Sequence, residues 1–216
     1  MPVVRWRMAV LSPDFLNKLS RDLGLTVPTL KAVVEVESSG QPFLAVPALT
    51  PRGADVSGYP VVQFEGHVFW QQLTSLKQPS LRPATLLSAS PENADIIYPR
   101  ANTKYTLRPL PEWDQLLKAR AISWAAANAS ASWGAFQVMG FNAGMTGFPS
   151  LDDFVEAMNS LEGQTMAFVG YLRAVPPTLK ALRSGDWETF ARLYNGPGYA
   201  RGGYHKKLAL AHARNL

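Results

Sequence analysis

The 216-residue chain contains no cysteine, which removes disulfides, thiolate nucleophiles, zinc-thiolate sites and iron–sulfur clusters together. No apolar run approaches the ~18 residues that read as a membrane span. Arg5 and Arg7 interrupt the apolar start where a signal peptide needs an unbroken stretch, so a soluble protein made without a signal is expected. A Gly-rich phosphate loop, a serine nucleophile elbow and a cluster with zinc-ligand spacing are also missing. His205 and His212 could share a helix face but lack a third ligand, so neither a metal nor a cofactor is expected. The chemistry is left to carboxylates, hydroxyls and amides.

Charged residues make up only 17% of the chain while 47% is apolar, with six tryptophans. That balance excludes a disordered tail and can bury a sizeable core, and one domain over residues 1–216 is expected. The net charge is 21 − 16 = +5, and it is unevenly placed. Residues 173–216 hold eight Lys/Arg against two acids, a local +6, and the remainder holds thirteen against fourteen. The excess could meet a polyanion, or it could be an ordinary solvated helix packed by Leu208 and Leu210.

Hydrophobic periodicity predicts a mainly helical chain. Ser12-Pro13-Asp14 caps a helix ended by Gly24, and a second runs from Pro28 to Ser38-Ser39-Gly40. Residues 41–63, rich in Pro and Gly, fit loops with a small β-hairpin, the one plausible strand region. Further helices are expected over 64–73, from Pro111 toward Ala127, as one unbroken element from Ser150 to about Ala174, and over 187–194 and 204–214. The proline-rich segment between Pro79 and Pro111 reads as long and irregular.

Two acids on the second helix must differ. At ~100° per residue Glu35 and Glu37 lie about 200° apart, with Glu37 in the middle of the apolar stripe and Glu35 beside Lys31. Burial of a carboxyl raises its pKa, and the negative end of the helix dipole pushes the same way. Glu37 thus suits a general acid kept protonated near neutral pH. The alternative is a carboxylate that reaches a buried Arg or backbone donor. A sugar acetal needs a second group to aid the cation or the water, and Glu65 stands before the next helix, whose N-terminus would favour its ionised form. Glu65 could equally be a helix cap, and His67 either its orienting partner or a structural histidine.

Four motifs follow one another: Val36-Glu37-Ser38 with Gly40, Phe64-Glu65 with His67 and Phe69, Ser130-Ala131-Ser132-Trp133-Gly134 with Phe136-Gln137 and Met139-Gly140, and Tyr194-Asn195-Gly196-Pro197. The set resembles the lysozyme superfamily, and within it the N-acetylmuramidase catalytic domain of bacteriophage endolysins. One such motif is weakly specific; four in order across nearly the whole chain are strongly so.

The resemblance implies an α+β lysozyme-like fold, a helical lobe and a small β-hairpin lobe flanking a cleft. It implies hydrolysis of the bond between N-acetylmuramic acid and N-acetylglucosamine in peptidoglycan. Carried over by position, Glu37 looks like the catalytic acid and Glu65 the second carboxylate. Ser132, Trp133, Gln137, Tyr194 and Asn195 would contact substrate, Trp133 by stacking on a sugar, with Gly134 letting the backbone approach. Gly66 stands where the family often has a basic residue. A lytic transglycosylase, which needs no second carboxylate, and a basic protein acting on walls or membranes are the alternatives. On this reading the chain is a monomer without a separate wall-binding module and has no nucleic-acid partner. It is made in the host cytoplasm and acts on the wall in the periplasm after release, with an anionic envelope surface as a possible contact for its basic end.

Overall fold

The computed structural model describes residues 11–75, 87, 90–100 and 109–216. Helix α1 (Pro13–Leu23) starts where the Ser12 hydroxyl accepts the Phe15 N–H and ends at Gly24 in the left-handed region. Its buried face is Leu16, Leu19 and Leu23. Helix α2 (Val27–Ser38) is capped by Thr26, and its end is a Schellman-type turn in which Ser39 takes φ 54°. There the Ser39 and Gly40 N–H groups bond the carbonyls of Glu35 and Val34. Leu30, Ala32, Val33 and Val34 are buried, so the predicted apolar stripe is the packed face.

The sheet is larger and differently placed than expected. β1 (Val62–Phe64) pairs antiparallel with β2 (Ala131–Trp133), which pairs with β3 (Val138–Met139), in the order β1-β2-β3. The register sets Gln63 opposite Ser132 and Ser132 opposite Met139. Residues 42–61 form only an irregular ladder, with bridges between Phe43 and Pro60 and between Leu49 and Asp55. Its prolines remove the donors that a regular hairpin needs. The two-stranded hairpin is instead the Ser-Trp-Gly-Ala-Phe-Gln motif itself, too short for alternation to reveal.

Helix α3 (Gly66–Ser75) follows β1, and α4 (Pro109–Ile122) packs across it. The chain breaks at Ser123, whose hydroxyl caps α5 (Trp124–Ala129). The predicted 150–174 helix is likewise two, α6 (Leu151–Ala157) and α7 (Leu161–Ala174). The apolar stripe is real, for Phe154, Met158, Leu161, Phe168 and Leu172 are all buried. Ser160 restarts the helix by accepting the Gly163 N–H, and Gly163 lies so close to α6 that a Cβ would come 2.0 Å from the Ala157 carbonyl oxygen. A capping serine and a close crossing outweigh the continuous periodicity. Helix α8 (Pro176–Ser184) was not anticipated; α9 (Trp187–Tyr194) and α10 (Tyr204–Arg214) stand as expected.

One apolar cluster joins these elements, from Leu16 to Leu208. α10 lies along α2, and Glu35 accepts from Arg214 and Asn215 rather than pairing with Lys31. Leu208 is buried, whereas Leu210 faces solvent. No helix among the described residues is long and apolar enough to cross a membrane. Of the proline-rich segment, Ile96, Ile97 and Tyr98 are buried against the core, and much of the rest lies outside the described residues.

Candidate active site

The four motifs converge on the hairpin. Ser38, next to Glu37, donates its hydroxyl to the Ala135 carbonyl at 3.0 Å. Tyr194 donates to the Phe136 carbonyl at 2.7 Å. Gln164 accepts the Ala135 N–H at 2.8 Å and donates to the carbonyls of Met158 and Pro42. The end of α2, the end of α9 and the sheet are thereby locked at one point. These serine and tyrosine positions of the motifs are structural ties that set where the acids sit.

A cleft of about 470 Å³ opens there, lined among others by Glu37, Glu65, Ser132, Gln137, Tyr194 and Asn195. Grooves of similar volume lie beside α1 and beside the exposed face of α2. Volume therefore does not single out the site, but its acids do.

Glu37 is half-buried, and desolvation pushes its carboxyl up to about 8 against the opposing hydrogen bonds from Tyr204 and Asn195. The Tyr204 hydroxyl donates to Oε1. Sequence reasoning missed this tyrosine, because its only signal is one phenol near the start of a distant helix.

Glu65 departs from expectation. Its backbone carbonyl begins the α3 bonding pattern by accepting from Phe69, yet its carboxyl is raised to about 7, first by burial and then by the charge of Glu112. These outweigh the favourable helix N-terminus. His67 Nε2 stands 3.4 Å from Glu65 Oε2, and burial lowers the pKa of that imidazole. Gly66 has a local reason: a Cβ there would come 2.4 Å from the Tyr98 ring, which stacks on His67.

Trp133 is not at the cleft surface. It is 1% exposed, edge-on to Trp113, with its indole N–H on the Asn128 carbonyl and the Arg120 guanidinium over its ring. Strand alternation turns Ser132 to the cleft and Trp133 into the core. Gly134 makes room for Gln164 rather than for a ligand, since its Cβ would fall 2.3 Å from that side chain. Gln137 lines the cleft, but its amide is engaged by the Ser132 hydroxyl and by the carbonyls of Gly134 and Val61. Asn195 remains exposed at the rim. The exposed apolar surface in the cleft belongs to Phe141 and Met145.

A cleft between helices and a small sheet, holding two carboxyls raised toward neutral pH, defines a glycosidase of lysozyme type. The N-acetylmuramidase family profile matches residues 26–215, and the chain belongs to that family. It is similar to the crystal structure of a Burkholderia AP3 phage endolysin, at 34% identity and a TM-score of 0.68, over 93% of this chain and 68% of that one. No curated protein sequence matches. The chain is thus a muramidase of the phage-endolysin type, a peptidoglycan-hydrolysing enzyme.

Proposed function

We propose that the enzyme cleaves the β-1,4 bond from N-acetylmuramic acid to N-acetylglucosamine, with Glu37 protonating the glycosidic oxygen. The observation that carries this is a carboxyl held at about 8 in the cleft: it is protonated at neutral pH and still acidic enough to give its proton up. Glu65, at about 7, is the group that ionises first as pH rises. Directly or through water, it supports the oxocarbenium-like transition state and the second half of the reaction. Phe141 offers its half-exposed ring to an apolar sugar face, and Asn195 offers neutral hydrogen bonds at the rim.

Mass spectrometry of digested peptidoglycan tests the reaction. Reducing N-acetylmuramic acid ends support the hydrolase, and 1,6-anhydro ends would replace it with a transglycosylase. Proton NMR of the first-formed anomer then distinguishes retention from inversion. We further propose that the enzyme reaches the wall from the cytoplasm after release, working as a monomer. Exposed Lys206 and Lys207 would give its C-terminal face a contact with anionic envelope polymers.

A further inference from the structure

The sheet turns one row of side chains to the cleft. Strand alternation divides β1, β2 and β3 between two faces. On the inner face Val62 stands opposite Trp133, Trp133 opposite Val138 and Phe64 opposite Ala131, all at most 2% exposed. On the outer face Gln63 stands opposite Ser132 and Ser132 opposite Met139, and these three line the cleft together with Glu65, two residues on from Gln63.

The members of the row differ in length and in chemistry. Ser132, in the middle, is short and 6% exposed, and its hydroxyl is turned to Gln137 Oε1 at 2.7 Å. Gln63 and Met139 are longer and half-buried on either side of it. With neighbouring strands about 4.8 Å apart, the bases of these two side chains lie about 10 Å from each other. The result is a notch with a low floor, one carboxamide wall and one thioether wall.

The carboxamide wall is uncommitted. The Gln137 amide is bonded through both its oxygen and its nitrogen, whereas the Gln63 amide makes no side-chain hydrogen bond to any described residue. A few placed polar groups in a cleft fix the orientation of what binds there. A sugar hydroxyl could take one bond from Gln63, but a secondary amide offers an acceptor and a donor on one rigid plane, matching the donor and acceptor of the carboxamide. The thioether wall in turn suits a small apolar group such as a methyl.

We propose that Gln63, Ser132 and Met139 form a specificity subsite for a methyl-bearing secondary amide of the glycan. Gln63 bonds the amide, and the methyl lies over Ser132 against Met139. The inference rests on the reading that the cleft takes peptidoglycan, which carries such a group in two places: the acetamido group of each sugar, and the lactyl amide where a stem peptide begins. Either one, seated in the notch, brings a sugar ring beside Glu65.

The experiment uses Gln63→Leu, which keeps the bulk of the side chain and removes its amide. Tm should stay near the wild-type value, since no bond within the protein is lost. The kcat/KM for peptide-free N-acetylated strands should fall roughly three- to tenfold, the worth of one or two neutral hydrogen bonds, while peptide-free N-deacetylated strands lose less than about twofold. A drop confined to peptide-bearing strands assigns the lactyl amide as the group in the notch. An equal loss on every strand, or no loss on any, would overturn the proposal, because a merely structural role cannot tell the substrates apart. A second measurement needs no change at Gln63: in Glu37→Gln, the side-chain nitrogen-15 resonance of Gln63 should shift on addition of an N-acetylglucosamine trimer and stay in place with a glucosamine trimer. Identical responses to both trimers would also sink the idea. Failure of the wild type to cleave any glycan strand is a separate matter that removes the glycosidase reading, while the NMR comparison still reports on the notch.

Discussion

The Tyr204 hydroxyl on α10 donates to Oε1 of Glu37 at the end of α2, across 167 residues of chain. Burial raises the Tyr204 phenol well above 10, so it remains a donor at any working pH. The engaged oxygen is then occupied as an acceptor, and a transferable proton belongs on Oε2. The bond also favours the ionised carboxylate and so works against burial.

Tyr204→Phe removes that donor while keeping the ring. The Glu37 carboxyl then rises further, and the alkaline limb of the pH profile moves up. The looser acid lowers the rate at the optimum by about tenfold or more. A stopped assay at closely spaced pH values reads both effects, and an alkaline limb that does not move would separate the bond from the acid's titration.

Glu37→Gln is expected to abolish clearing of bacterial cell walls while stabilising the fold at alkaline pH. With a folded-state pKa of about 8 against an unfolded value of 4.5, the native state binds more protons across that window. Stability therefore falls as pH rises from about 4.5 to about 8. After discounting for the carboxyl's contact with solvent, the penalty at pH 8 is about 1–3 kcal/mol. Thermal melts of both proteins at pH 5 and pH 8 check it: the variant's advantage should grow with pH.

Activity requiring ionised Glu65 and protonated Glu37 is bell-shaped, with limbs near about 7 and about 8. Facing the same cleft, the two acids give apparent values that belong to the pair. Glu65→Gln should flatten the acidic limb and lower the rate. Should the acidic limb persist unchanged in that variant, another group sets it.

The position of the candidate acid Glu37 was legible where periodicity speaks. The stripe Leu30, Val33, Val34 places Glu37 at the packed end of α2, and the capping residues Ser12 and Ser150 mark true helix starts. Legibility failed where long-range partners decide. Glu35 turns to Arg214 because α10 lies beside α2, and Glu65 is raised first by its burial in the folded cleft and then by the charge of the distant Glu112. The hairpin carries two positive-φ residues, Gly134 and Gln137, in its turn, and only one of them is a glycine. Trp133 was misplaced because a three-residue strand gives too little alternation to say which neighbour faces the core.

Trp133 and Phe141 therefore make opposite predictions. Trp133→Ala opens a cavity beside Trp113 and Arg120 and is expected to cost about 3–5 kcal/mol of stability. Phe141→Ala, at a side chain 52% exposed on the cleft, should leave Tm nearly unchanged and raise KM several-fold. Chemical denaturation together with initial rates on defined glycan strands separates them. A raised KM in a fully stable Trp133→Ala protein would return that ring to the substrate.

The basic C-terminal face reduces to fewer free charges than its composition implies. Arg214 is committed to Glu35, whereas Lys206 and Lys207 project from the exposed face of α10. Attraction of these two lysines to an anionic wall polymer acts through solvent and fades as the Debye length shortens from about 10 Å at 0.1 M salt to about 3 Å at 1 M. The double variant Lys206→Gln, Lys207→Gln should bind isolated walls more weakly at low salt, match the wild type at high salt, and keep its turnover on short soluble strands. Arg214→Gln should instead loosen the clasp between α10 and α2 and register mainly in Tm. Co-sedimentation with walls across a salt series gives the decision: a wild-type curve flat in salt would mean that the lysines do not hold the enzyme to its substrate.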